Sequence, residues 1–187
     1  MSGGAAGNTS RRGNEAAMRA DRRIEAARGY LTLDMPEHAL KELGEIPESS
    51  RHRVDGLRLR GDAFRALSQD EKAIAAYTRT LAERPDCLPA LMGAAVCYRR
   101  LGQLGRAVAA VEDANRLHPN EPAVLFALAR FYVLIGETPR AMGWLGRAVR
   151  ICPDVAGWAE TDDDFTPLKA SPHFQLLMDA ARARQRV

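Results

Sequence analysis

The stretch Leu88–Pro119 reads LPALMGAAVCYRRLGQLGRAVAAVEDANRLHP, and Pro122–Pro153 reads PAVLFALARFYVLIGETPRAMGWLGRAVRICP. The two stretches align without a gap at an offset of 34 residues. The residues that match at this offset include Tyr98 with Tyr132, Ala107 with Ala141 and Pro119 with Pro153. A fixed period of about 20–50 residues indicates a solenoid, in which each repeat buries its apolar face against its neighbours.

The same period extends towards the N-terminus and defines four repeats, at residues 20–53, 54–87, 88–121 and 122–155. An aromatic residue recurs at position 11 and an alanine at position 20 of each repeat. These two series are Tyr30, Phe64, Tyr98 and Tyr132, and Ala39, Ala73, Ala107 and Ala141. Apolar residues at spacings of three and four predict two one-sided helices in each repeat. Gly102 and Gly136 follow the first helix of their repeats, where a left-handed residue ends a helix at little cost.

These residues resemble the tetratricopeptide repeat (TPR), whose pattern is W-x2-L-G-x2-Y, then A-x3-F, then P. The second repeat carries the pattern as Leu57, Gly61, Phe64, Ala73, Tyr77 and Pro85. The third and fourth repeats carry it with small residues at the glycine position, and the first repeat is weaker because Arg23 and Arg51 depart from it. The resemblance implies an all-α fold: a right-handed α-solenoid of four TPR helical hairpins with a C-terminal capping helix.

The two ends of the chain leave the period. Residues 1–13 are mostly Gly, Ala, Ser and Asn with two arginines, so we expect a disordered tail before the repeat region 14–155. Residues 156–187 resemble the closing segment of bacterial TPR proteins. Within them, Ser171 and Pro172 predict the start of a helix. We expect four apolar side chains of this segment to pack on the last repeat: Trp158, Phe165, Leu168 and Phe174.

Composition limits the classes of function. The net charge of +3 is diffuse, without the dense basic stripe of a nucleic-acid binder, so no nucleic-acid partner is predicted. No apolar run is long enough to span a membrane, and residues 1–14 offer no signal peptide. Cys87, Cys97 and Cys152 have no C-x-x-C spacing and cannot all pair, which favours a reducing compartment. We therefore predict a cytoplasmic protein without a membrane partner.

No local motif predicts catalysis. The four histidines are isolated, and no phosphate-binding or dinucleotide-binding glycine motif is present. The run Asp162–Asp164 lacks the alternating frame of a calcium loop, so we expect it to cap helix amides rather than bind a metal. The sequence predicts no enzyme activity and no catalytic, cofactor-binding or metal-binding residue.

The resemblance places the functional surface on the concave side of the repeats, which the first helices line. The positions that face a partner in TPR proteins are occupied by an apolar and arginine-rich set. These predicted groove residues are Arg58, Asp62, Arg65, Met92, Val96, Arg99, Phe126 and Arg130. Arginine is favoured at binding hot spots, and apolar side chains rimmed by charge mark binding surfaces. Some of these side chains could instead pack between helices or be solvated.

We interpret the chain as a non-enzymatic adaptor or scaffold that binds a peptide or protein segment with acidic and apolar side chains. The alternative is a self-assembling structural scaffold, a homo-oligomer through the open first repeat. Where some TPR domains clamp a chaperone carboxylate with Lys and Asn, this chain has Arg58, Asp62 and Gly93, so that clamp is not expected. Charge reversal at Arg58 and Arg130 is expected to weaken partner binding and to change the melting temperature little.

Overall fold

The structure is a computed structural model that describes residues 5–44 and 52–185. Every regular element in these two ranges is a helix. The chain divides into two compact units, Met1–Cys97 and Tyr98–Val187. The helices in order are α1 (Ala5–Thr32), α2 (Pro36–Gly44), α3 (Arg53–Ala66), α4 (Asp70–Glu83), α5 (Leu88–Arg100), α6 (Leu104–Leu117), α7 (Pro122–Leu134), α8 (Thr138–Ile151), α9 (Val155–Thr161), α10 (Thr166–Lys169) and α11 (Pro172–Gln185).

Helices α3 to α8 come two to each of the predicted second, third and fourth repeats, with α3 beginning one residue early at Arg53, and α2 follows the end of α1 in the first repeat. Helix α1 begins at Ala5, inside the tail that the sequence predicts to be disordered, and continues through Asn14. Alanine and arginine favour helix without needing a core, so this segment can extend α1. The disorder of residues 1–13 stays a prediction, and residues 1–4 of that tail and Arg51 of the first repeat lie outside the described residues.

The turn inside each hairpin has the same backbone geometry in all four repeats. The residue at position 15 has a positive φ, which Gly102 (71°) and Gly136 (80°) adopt as predicted. Asp34 and Ser68 occupy the same position with φ of 55° each, although an L side chain is strained there. The following N–H donates to the carbonyl of the position-11 aromatic residue, over 2.8–2.9 Å in every repeat. This hydrogen bond satisfies a carbonyl at the end of the first helix.

The core of the first unit is built from small and aliphatic residues on one side of α1, α2 and α3. Its buried members are Ile24, Ala27, Ala39, Leu43, Leu59 and Ala63, and Tyr30 packs against them. The alanines of position 20, such as Ala39 and Ala73, are fully buried. Their small side chains allow the helix backbones to approach closely, which is the packing role that the repeat pattern predicts.

Tyr77 on α4 fills the interior of the first unit and is fully buried. Its ring lies against two glycines, Gly61 on α3 and Gly93 on α5. A Cβ atom built on Gly93 would lie 2.5 Å from Cζ of Tyr77, and one on Gly61 would lie 2.6 Å from its Cδ1. A side chain at either position would have to displace the tyrosine ring, so the packing favours glycine at both.

Within the second unit, the C-terminal segment packs on helices α7 and α8 of the last repeat. Helix α11 begins at Pro172 as predicted, and the hydroxyl of Ser171 accepts a hydrogen bond from the N–H of Phe174 at 3.1 Å. Phe165, Leu168 and Phe174 are buried, whereas Trp158 is 43% exposed. The rings of Phe165 and Phe174 are 6.4 Å apart. The four side chains predicted to pack here thus include three core residues and one at the surface.

Candidate functional site

Three predicted groove residues, Arg58, Asp62 and Arg65, lie one turn apart on one face of α3 and form a polar chain with Tyr77. Arg58 Nη1 is 2.6 Å from Asp62 Oδ2. The Tyr77 hydroxyl donates to Asp62 Oδ1 at 2.8 Å and accepts from Arg65 Nε at 3.3 Å. Asp62 and Arg65 therefore hold a buried hydroxyl in addition to facing the surface.

The pKa of the Tyr77 hydroxyl is raised well above its usual range. Burial is the largest cause, because the phenolate would lose its hydration. The negative charge of Asp62 and its hydrogen bond to the hydroxyl raise the pKa further, while Arg65 opposes them. Tyr77 consequently stays protonated at neutral pH, and it remains a hydrogen-bond donor to Asp62.

An open pocket of about 390 Å³ lies between α1 and α3 in the first unit. Arginines from both helices surround an apolar floor. The pocket is lined by Arg28, Leu31 and Thr32 of α1 and by Arg58, Leu59, Asp62, Arg65 and Ala66 of α3. Three guanidinium groups against one carboxylate give the lining a positive balance. Guanidinium groups bind carboxylates through paired N–H donors, so the pocket suits an anionic group attached to an apolar segment.

Arg28 forms an ion pair with a neighbour on its own helix. Its Nη1 lies 2.8 Å from Oε1 of Glu25, whose side chain is 70% exposed. An ion pair at this exposure adds little stability, because water and salt screen it. Arg28 can therefore exchange Glu25 for an incoming carboxylate at low cost.

Met92 and Val96, the predicted apolar floor on α5, are half-buried in the first unit. They lie four residues apart and so share one side of the helix. Both keep part of their side-chain surface accessible to a partner.

In the second unit, the predicted groove arginines are paired with the C-terminal segment. Arg99 donates to Asp164, and Arg130 lies 3.5 Å from Asp162 and 3.6 Å from Asp164. Asp162 also accepts a hydrogen bond from the N–H of Asp164 at 2.9 Å, so it caps the short 3-10 turn Asp163–Phe165. The aspartate run therefore caps helix amides as predicted. It also neutralises two arginines, a contact that the sequence did not predict.

Phe126 is covered by aromatic side chains of the same segment. Its ring centroid is 5.4 Å from that of Phe165 and 5.6 Å from that of Trp158, the latter in an edge-to-face arrangement. Phe126 is therefore packed against the cap, and a partner that used it would have to displace Phe165 or Trp158.

These contacts change the expected effect of charge reversal on stability. The sequence predicts that charge reversal at Arg58 and Arg130 changes the melting temperature little. In the structure, Arg58 is half-buried beside Asp62, and Arg130 is half-buried between Asp162 and Asp164. A glutamate at either position would face carboxylates at close range, so we expect a loss of stability.

Two features of the surface were missed at the sequence level. The pocket is lined in part by Arg28, Leu31 and Thr32 of α1. The predicted groove residues begin only in the second repeat, at Arg58. Arg28 stands at position 9, which also holds Asp62 and Arg130, so extending the same positions to the first repeat would have found it. An apolar groove of about 780 Å³ lies between α8 and α11, with Gly143 and Leu177 in its lining.

A profile of the tetratricopeptide repeat matches residues 58–122 and 98–156, more than half of the chain. The chain belongs to the tetratricopeptide repeat family. A search of curated protein sequences finds no significant match for the TPR chain.

Solved structures of TPR proteins match the chain closely in fold. MamA residues 41 to the end, from Desulfovibrio magneticus RS-1, match at a TM-score of 0.69 with 19% identity, over 89% of this chain and 97% of that one. A kinesin light chain with nearly identical TPR-like repeats from Podosopora anserina matches at 0.69 with 20% identity, over 89% and 95%. YrrB, described as a TPR protein with an unusual peptide-binding site, matches at 0.62 with 18% identity, over 72% and 70%.

At these identities the likeness concerns the fold, and it confirms the predicted all-α TPR solenoid. Such repeats are typical of non-enzymatic scaffolds for protein–protein interaction. No helix within residues 5–44 and 52–185 is both long and apolar enough to cross a membrane. The alternative function of self-assembly through the first repeat stays a prediction.

Proposed function

We propose that the chain is a non-enzymatic adaptor that binds a protein segment on the first-helix faces of its repeats. The observation that carries this proposal is the open pocket between α1 and α3, where arginines surround Leu31 and Leu59. A partner can gain charge-assisted hydrogen bonds at the rim and apolar contact at the floor in one place. Among TPR structures of the same fold, YrrB is described as having a peptide-binding site.

The predicted groove residues divide into two groups under this proposal. Arg58, Asp62 and Arg65 line the open pocket, and they form the primary contact surface. Arg99, Phe126 and Arg130 are engaged by the C-terminal segment, so they contribute only if that segment moves. Met92 and Val96 supply further apolar surface on α5.

The proposal includes a reducing, cytoplasmic location. None of the three cysteines forms a disulfide, and Cys87 and Cys97 are buried as small apolar side chains. Proteins of oxidising compartments more often use their cysteines as disulfides.

The test is affinity capture of partner proteins from a lysate of the source cells. It compares the wild-type chain, in which the pocket is open, with a variant in which a side chain fills the pocket. Ala66 is exposed at the C-terminal end of α3 and lines the pocket, so Ala66→Trp fills it without adding charge. Ala109→Trp is the matched control, because Ala109 is an exposed alanine of α6. We expect proteins captured by the wild type and by Ala109→Trp to be lost from Ala66→Trp. An identical set of proteins on all three would overturn the proposal.

A further inference from the structure

The C-terminal turn Asp162–Phe165 is a short acidic and aromatic segment bound to first-helix faces of the second unit. Its carboxylates contact Arg99 on α5 and Arg130 on α7. Its ring packs against Phe126, with centroids 5.4 Å apart. The chain therefore contains one observed example of a segment held by the arginines of this surface.

The chemistry of that contact is specific. Two carboxylates, Asp162 and Asp164, sit around one guanidinium, and the next residue after them is a buried aromatic ring. The arginines stand at positions 12 and 9 of their repeats, and Phe126 stands at position 5. Charge pairing orients the segment, and ring burial supplies apolar contact.

The pocket of the first unit also presents arginines from repeat positions 9 and 12 beside an apolar floor. Arg28 stands at position 9 of the first repeat and Arg65 at position 12 of the second, and Leu31 and Leu59 form the floor. Compared with the contact in the second unit, the pocket adds one arginine, Arg58, and one carboxylate, Asp62. That carboxylate already contacts Arg58 and accepts from Tyr77, so it is neutralised within the protein. The positive balance of the lining therefore favours an anionic segment.

We infer that the pocket between α1 and α3 binds a partner segment in which two carboxylates precede an aromatic residue, as in Asp162–Phe165. The inference rests on the proposed function, and it specifies the chemical class of the partner. One carboxylate takes the place of Glu25 at Arg28. The aromatic ring lies on Leu31 and Leu59, beside Ala66.

Alternative occupants fit the pocket less well. A basic segment would bring positive charge against three arginines, which disfavours association. A purely apolar segment would remove water from the guanidinium groups and offer them no new acceptor. An acidic segment without an aromatic residue would lose the contact with the leucine floor, and it would bind with a steep dependence on salt.

The probe for this inference is a fluorescently labelled synthetic peptide with the sequence of Glu160–Leu168, added to the full chain at low salt. Anisotropy measures its binding. A second peptide carries asparagine at 162 and 164, and a third carries Phe165→Ala. We expect the first peptide to bind saturably, and the other two to bind about tenfold or more weakly, because each loses one of the two contacts.

Variants of the protein locate the binding site. Arg28→Glu is expected to weaken binding of the acidic peptide about tenfold, and Arg28→Gln to weaken it less, since neutralisation removes attraction without adding repulsion. Arg116→Glu is the matched control, because Arg116 is an exposed arginine of α6 that, like Arg28, pairs with an exposed carboxylate of its own helix, Asp113. Circular dichroism of each variant confirms that the fold is retained.

Three results would overturn the inference: no saturable binding of the acidic peptide, equal binding of the asparagine peptide, or binding that Arg28→Glu leaves unchanged. The proposed function is judged separately by the filled pocket. Loss of captured partners from Ala66→Trp without binding of the acidic peptide would keep the adaptor and refute this partner class. Unchanged capture by Ala66→Trp would refute both.

Discussion

Replacement of Gly93 by alanine tests whether Tyr77 dictates the glycines around it. Gly93 lies in α5, where alanine is normally the better residue. A Cβ atom at this position would lie 2.5 Å from Cζ, 2.6 Å from the hydroxyl oxygen and 2.8 Å from Cε2 of Tyr77. The ring cannot move aside freely, because it is fully buried and its hydroxyl donates to Asp62 at 2.8 Å.

The expected change in the free energy of unfolding combines two costs and one gain. Overpacking of a filled interior costs about 1–3 kcal/mol. Movement of the ring would also weaken its hydrogen bond to the Asp62 carboxylate, and a hydrogen bond to a charged group contributes about 1.5–3 kcal/mol. Alanine in place of glycine in a helix regains about 1 kcal/mol. We therefore expect Gly93→Ala to lower the free energy of unfolding by about 2 kcal/mol, with a fall of about 4–8 °C in melting temperature.

Chemical denaturation followed by circular dichroism is the assay, with Gly143→Ala as the matched control. Gly143 lies inside α8 and a Cβ atom there would meet nothing within 4 Å. The same substitution is expected to raise stability by about 0.5–1 kcal/mol at that position. The double variant Gly93→Ala with Tyr77→Leu should be more stable than the sum of its two changes predicts. With leucine at 77, the ring that occupies the space of the alanine Cβ atom is gone.

Two results would refute this reasoning. The first is a Gly93→Ala variant at least as stable as the wild type. The second is a cycle with Tyr77→Leu in which the two changes are additive, since additivity would mean that the side chains at 77 and 93 do not compete for space.

Three further predictions concern the turns, the buried hydroxyl and the cap. Ser68→Gly should raise stability by about 1 kcal/mol in urea denaturation because it removes left-handed strain at φ 55°, and Ser68→Ala should not. The pKa of the Tyr77 hydroxyl is raised in the folded state. Its contribution to the free energy of unfolding is therefore complete below pH about 10 and is lost as pH rises above that value. Tyr77→Phe should flatten this alkaline fall in stability in a pH series of thermal melts. Arg130→Glu should lower stability by about 2 kcal/mol, because glutamate would face Asp164, whereas Arg116→Glu should change it by less than about 0.5 kcal/mol.

The positive-φ turns show how far local sequence predicts local structure. Glycine at positions 102 and 136 predicted the left-handed residue correctly. Asp34 and Ser68 gave no such signal, yet they adopt the same conformation. The reason is that each hairpin must turn its second helix back onto the first, and the hydrogen bond to the position-11 carbonyl forms whichever residue stands at position 15.

The groove residues show the limit of reading a surface from repeat positions. The positions placed Arg58, Asp62 and Arg65 on one face of α3, and the structure has them there. Their partners come from elsewhere in the fold: Tyr77 reaches Asp62 from α4. In the second unit the aspartate run lies far along the chain from Arg99, and only folding brings Asp164 beside it. Spacing along one helix carries no information about such contacts.

The sequence by itself predicted an all-α solenoid of tetratricopeptide repeats, because the 34-residue period repeats the same apolar spacing in every unit. Tertiary structure alone decided which arginines are engaged. The carboxylates of the C-terminal turn bind Arg99 and Arg130, while Arg28 and Arg58 pair with carboxylates of their own helices at the edge of an open pocket. The physical reason is that apolar periodicity is a property of each helix, whereas the pairing of charges depends on side chains that folding brings together from distant parts of the chain.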